Sequence, residues 1–102
     1  MFPSNEITEQ NVQDIVITAL EGGINYWADF ADVSLIDMHY PLPFTITVEG
    51  KNFVLTDVSI RFGIEKEANR RGRAIWEFLE NHDADDADCV VQWALFNDLV
   101  YG

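Results

Sequence analysis

Two prolines separated by one residue, Pro41-Leu42-Pro43, punctuate the middle of the chain. Neither can donate a backbone hydrogen bond, and each forces its predecessor away from helical angles, so no helix or central strand continues through them. Immediately downstream, Phe44 to Val48 and Phe53 to Thr56 are β-branched and aromatic runs joined by Glu49-Gly50-Lys51-Asn52, a pattern that predicts a hairpin. The strands therefore belong to the centre of the chain, and the helical signals lie on either side of it.

Upstream, Thr8 suits an N-cap and Glu9 the positive end of a helix dipole. Val12, Ile15, Val16, Ala19 and Leu20 then recur at helical spacing, and Gly22-Gly23 supplies a C-cap signal, which predicts a helix at about 9–21. Phe30, Val33, Leu35 and Ile36 predict a further strand near 30–37. Downstream, Thr56 followed by Asp57 opens a helix to about Ala68, with Val58, Phe62 and Glu65-Lys66 marking its turns, and Gly72 separates it from a short helix buried through Ile75, Trp76, Phe78 and Leu79. A last helix is capped by Asp85, carries Asp86 and Asp88 in its first turn, and repeats Ala87, Val90, Val91, Ala94 and Leu95 at helical spacing. The order predicts an α+β fold in one globular domain over 1–102: an N-terminal helix, a three-stranded antiparallel sheet with a hairpin, then three C-terminal helices.

A chain of 102 residues with 48% apolar and 13% aromatic side chains can close one core without disulfide or metal support. Its charge is distinctive. Eighteen acids against six bases give −12, which excludes direct contact with nucleic acid or an anionic membrane and favours neutral or basic partners. Residues 1–50 hold eight acids and no Lys or Arg, residues 51–73 all six bases with three acids, and residues 74–102 seven acids and no base. This distribution favours two differently charged faces. The start Met1-Phe2-Pro3-Ser4 lacks the pattern of a signal peptide, and the single Cys89 allows no internal disulfide, so a cytoplasmic location is expected.

No constellation announces catalysis, and no cofactor or metal is expected. GxGxxG, Walker-type and GxSxG patterns are absent. His39 and His82 have no second ligand at zinc spacing, and Cys89 lies in an apolar run that disfavours a thiolate. Asp83, Asp85, Asp86 and Asp88 form the densest carboxylate cluster. They depart from an EF-hand loop, because position 6 counted from Asp83 is Asp88 rather than Gly and position 12 is Ala94 rather than Glu. They serve either as a helix cap or as a partner-binding acidic face.

Two other groups offer chemistry. Asn25, Tyr26 and Trp27 suit a stacking platform for a planar ligand or a core anchor; Arg70, Arg71 and Arg73 suit recognition of phosphate or pairing with the final helix's carboxylates. Together they define an alternative function, sequestration of a small nucleotide-like ligand.

Thr18-Ala19-Leu20-Glu21-Gly22-Gly23-Ile24-Asn25-Tyr26-Trp27 and the terminal Ala94-Leu95-Phe96-Asn97-Asp98-Leu99-Val100-Tyr101-Gly102 resemble a group of small acidic bacteriophage and prophage proteins. The resemblance implies production in a bacterial host's cytoplasm and a role as a non-enzymatic inhibitor of a host defence protein, of the anti-CRISPR-like kind. The main expectation is thus a binding protein whose acidic surface meets a basic host protein, one that itself binds nucleic acid, as a mimic of DNA. Homo-oligomerisation stays open, and acidity as an adaptation to high salt is the competing explanation.

Overall fold

The computed structural model describes residues 7–31 and 33–102. The start Met1–Ser4, and Asp32 within the expected third strand, lie outside them. Helix α1 spans Glu9–Thr18 and passes into one π-helical turn, Ala19–Gly23. Strands β1 (Phe44–Val48) and β2 (Lys51–Leu55) form a two-stranded antiparallel sheet, followed by α2 (Asp57–Arg70), α3 (Ile75–Asn81) and α4 (Ala84–Phe96). The α+β class is as expected, with four α-helices around one core.

Three of the helices begin with reciprocal capping. Thr8, Thr56 and Asp83 each accept from the backbone N–H three residues on, while Asn11, Ser59 and Asp86 return a side-chain bond to the cap's own N–H. Each box satisfies two donors that a helix start leaves unpaired. The cap of α4 is therefore Asp83 and not Asp85. Asp85 and Asp88 stand at the same spacing as Asp83 and Asp86, but Asp88 is taken by Tyr26, Trp27 and Gln92 and is not available to close a box.

The expected strand at 30–37 does not form among the described residues. Its contact with the sheet is a single bridge, Asp29 to Thr47, with both backbone bonds at 2.8 Å. Beyond it the chain turns rather than extends. The Asp29 side chain accepts from Ala31 N–H, Val33 N–H bonds back to Phe30, and Asp37 and Met38, both at positive φ, reverse the chain between the bridged Ile36 and His39. Two consecutive left-handed residues make the tight reversal of a primed turn, which an Asp favours. Buried Gln13 fixes the far end of this connection. Its amide donates to Tyr40 O at 2.8 Å and accepts from Tyr40 N at 2.9 Å.

Gly22-Gly23 does not act as the left-handed cap its sequence suggests, since neither glycine has positive φ. Gly23 instead lets two backbones meet: a Cβ there would lie 2.8 Å from Ala84 O at the start of α4. Gly63 does the same between α2 and α4, where a Cβ would overlap the Val90 carbonyl. The two close approaches put α4 at the centre of the molecule, against α1, α2 and β2. Ile46, Val48 and Leu55 from the sheet are buried in one core with Val90, Val91, Ile15, Val16, Ile60, Ile64 and Phe78 from the helices.

Candidate functional site

The acidic run at the start of α4 splits between surface and interior. Asp83 caps the helix, and its carboxyl is held below the usual range mainly by the bond from Asp86 N–H. Asp85 is exposed. Asp86 and Asp88 are buried and face inward. A helix turns about 100° per residue, so four acids in six positions cannot share one face.

Asp88 collects three donors. Tyr26 Oη donates to Oδ2 at 2.8 Å, while Trp27 Nε1 and Gln92 Nε2 donate to Oδ1 at 2.8 and 2.9 Å. Burial and the bond to Asp88 push the Tyr26 hydroxyl up to about 12. Trp27 is a core anchor, its ring stacked on Tyr101 at 5.0 Å between centroids, whereas the Tyr26 ring is exposed and tethered at its tip. Asn25 is also engaged, its amide donating to Leu20 O at 3.2 Å. Gln92 closes the carboxyl end by accepting from Val100 N and Tyr101 N at 2.7 and 2.8 Å. The two motifs at opposite ends of the sequence thus meet around Asp88 and Gln92.

The arginines meet acids of their own chain. Glu67, fully buried on α2, accepts from Arg70 Nε and Nη2 at 2.8 and 2.6 Å, from Arg71 Nε at 2.5 Å and from Trp93 Nε1 at 3.0 Å. Burial alone would raise this carboxyl, but the bonds from Arg70, Arg71 and Trp93 outweigh it and hold it at about 2. Arg71 Nη1 lies 2.9 Å from Asp86 Oδ1 without an N–H aimed at it, a coulombic rather than hydrogen-bonded contact, and Arg73 Nη1 stands 3.8 Å from Oδ2. The arginine cluster is therefore the tie between α2 and α4. Cys89 beside it is half-buried, its thiol pushed up by burial and by the charge of Glu67. Tyr26 and Trp27 thus donate to Asp88, Arg70 and Arg71 donate to Glu67, and Arg73 donates to Glu77 O at 3.4 Å while standing near Asp86.

The remaining bases are nearly all engaged too. Arg61 pairs with Asp57 at 2.6 Å, and Lys66 sits over the rings of Trp93 and Phe62 at 4.8 and 5.9 Å. Among the described residues Lys51 alone makes no ion pair or cation–π contact. Twelve carboxylates are exposed in the same set. Four bases, Lys51, Lys66, Arg70 and Arg71, are exposed beside them, so the outer field is acidic on balance and the last two are already paired to acids of the chain.

One concave feature joins that field to an aromatic ring. A cleft of about 630 Å³ lies between α1 and α3, lined by Asn11 and Asp14 on one wall and by Trp76, Leu79 and Glu80 on the other. His82 stands at its end, where Nδ1 donates to Leu79 O at 2.8 Å and Nε2 meets Thr18 Oγ1 at 3.1 Å, tying the two helices. Trp76 was expected in the core with Phe78, yet it is 55% exposed and Phe78 alone on α3 is fully buried. A seven-residue helix offers one narrow face to the core, and Phe78 takes it. In an apolar helical run the exposed Trp carries no local sign of its exposure, since the neighbours that would bury it come from another part of the chain.

No metal-holding group of three or more His, Cys, Asp or Glu occurs among the described residues, and none of their helices is long and apolar enough to cross a membrane. No protein-family model, no curated protein and no solved structure matches this chain.

Proposed function

We propose that this protein is a non-enzymatic binding protein whose acidic surface engages a basic site on a partner protein, one that ordinarily meets nucleic-acid phosphates. The observation that carries this reading is the internal use of the positive charge. Twelve exposed carboxylates stand against four exposed bases, of which Arg70 and Arg71 are already paired to Glu67 and Asp86. Such a surface attracts a basic site over a distance of about a Debye length, ~10 Å at 0.1 M salt, and repels nucleic acid itself. The likeness of the two end motifs to small acidic phage proteins points to a host protein in a bacterial cytoplasm, a defence nuclease being the kind that reads phosphates.

The test is capture from a bacterial lysate at low and high salt, with identification of retained proteins and small molecules. The expected result is a basic nucleic-acid-binding protein, released by salt and displaced by duplex DNA. Retention that salt and DNA leave unchanged, or recovery of a nucleotide in place of a protein, overturns the reading.

A further inference from the structure

We infer that the cleft between α1 and α3 is the docking point for an arginine side chain of the partner, flanked in the partner's sequence by an apolar residue. This rests on the proposed acidic binding function and adds to it a place and a recognition chemistry.

The charge of the cleft is one-sided. Asp14 and Glu80 face it from opposite walls, and no Lys or Arg is among the described residues lining it. Asp14 has one oxygen committed, accepting from Gln10 Nε2 at 2.8 Å, which leaves the other for a guest. Both ring nitrogens of His82 are occupied by Leu79 and Thr18, so it offers the guest no free donor or acceptor.

Trp76 supplies the second element. On α3 it stands four residues before Glu80 and three before Leu79, so one helical face presents ring, carboxylate and aliphatic side chain together. A guanidinium is planar, stacks on an indole face and bonds a carboxylate in its own plane, which an ammonium cannot do equally well. Leu79 and the rest of the indole would cover the neighbouring apolar side chain. An exposed Trp in a concavity, ringed by polar groups, has the make-up of an interface anchor. A neutral helix would leave both carboxylates unpaired on burial, and an acidic one would be repelled.

The experiment uses the full chain labelled with 15N and three twelve-residue helical peptides that differ only in one central residue, Arg, Leu or Glu, beside a constant leucine. The Arg peptide is expected to shift the Trp76 indole N–H and the Leu79 amide and to weaken about tenfold from 0.05 to 0.5 M salt. Trp76→Ala should weaken it by about 30-fold, the fold-change of an interface anchor, and the Asp14→Asn, Glu80→Gln pair by about tenfold. Glu49→Gln with Asp98→Asn removes equal charge away from the cleft and should leave the affinity within about twofold.

Arg-peptide shifts that map away from Trp76 would overturn the docking point while leaving the acidic binding function standing. Equal binding of the Leu peptide would overturn the arginine assignment. Concentration-dependent Trp76 shifts without peptide, matched by a dimer in sedimentation, would make a second copy the occupant. Failure of all three peptides to bind, together with salt-insensitive capture of the natural partner, would remove the underlying function as well.

Discussion

An ionised carboxyl is tolerable inside a protein only when its lone pairs are filled, and Glu67 shows how much depends on that. Four bonds from Arg70, Arg71 and Trp93 lower it from its usual 4.5 to about 2. Because the folded value is depressed, its contribution is fully present above pH 4.5 and is lost as the pH falls towards 2. The size is about 3 kcal/mol for a buried acid shifted this far. Urea denaturation across this range should show stability falling with acid. Glu67→Gln should cost roughly 2–4 kcal/mol at pH 7, and the gap between variant and parent should close as the pH approaches 2. A constant gap at all pH values would mean that the bonds do not act through the charge. The sequence allowed the arginines to pair with carboxylates of the chain but did not show that a buried Glu67 would be the one to hold them. Glu67 stands in a polar stretch, Glu65-Lys66-Glu67, and nothing there separates the buried acid from the exposed one.

At the scale of elements, what fixes the arrangement is the approach of α2 to α4. Gly63 sits where any Cβ would overlap the Val90 carbonyl. Helix propensity alone would favour Ala at that position by about 1 kcal/mol. The contact opposes it, because a methyl group can enter only if the two helices move apart, at a typical cost of about 1–3 kcal/mol for overpacking. Gly63→Ala is expected to lower the thermal midpoint, whereas Gly22→Ala, with open space around it, should be neutral or slightly stabilising. Scanning calorimetry of the two variants decides this, and a stabilised Gly63→Ala would show that the helices are not held this closely. Local chemistry located most of the elements: Thr8 and Thr56 are the caps expected of them, and α1, α2 and α4 begin within a residue or two of their predicted starts. The expected strand at 30–37 shows the limit. Its β-branched and apolar residues fit a strand, but the turn at Asp37-Met38 and the bond of Tyr40 to Gln13 draw the chain elsewhere.

For the whole molecule the question is where a charge of −12 goes. Self-repulsion among exposed carboxylates is long-ranged and screened by salt, while the ties of Glu67 and Asp86 to the arginines are partly buried and screened less. Raising NaCl from about 0.02 to 0.3 M should therefore stabilise the fold, on the order of 1 kcal/mol or about 4–8 °C in melting temperature. Outright unfolding at low salt would favour adaptation to high salt as the reason for the acidity, and a falling midpoint would show that ion pairs outweigh repulsion. The sequence by itself determined the helices, the caps Thr8 and Thr56, the α+β class and the sign of the field, because each follows from neighbours along the chain or from a sum over it. Tertiary structure alone decided that Asp86 and Asp88 turn inward, that the arginines' main acid is the buried Glu67, and that Trp76 and Asp14 line one cleft. Those outcomes depend on which distant segments meet, and burial and pairing of a charged or aromatic side chain are properties of that meeting.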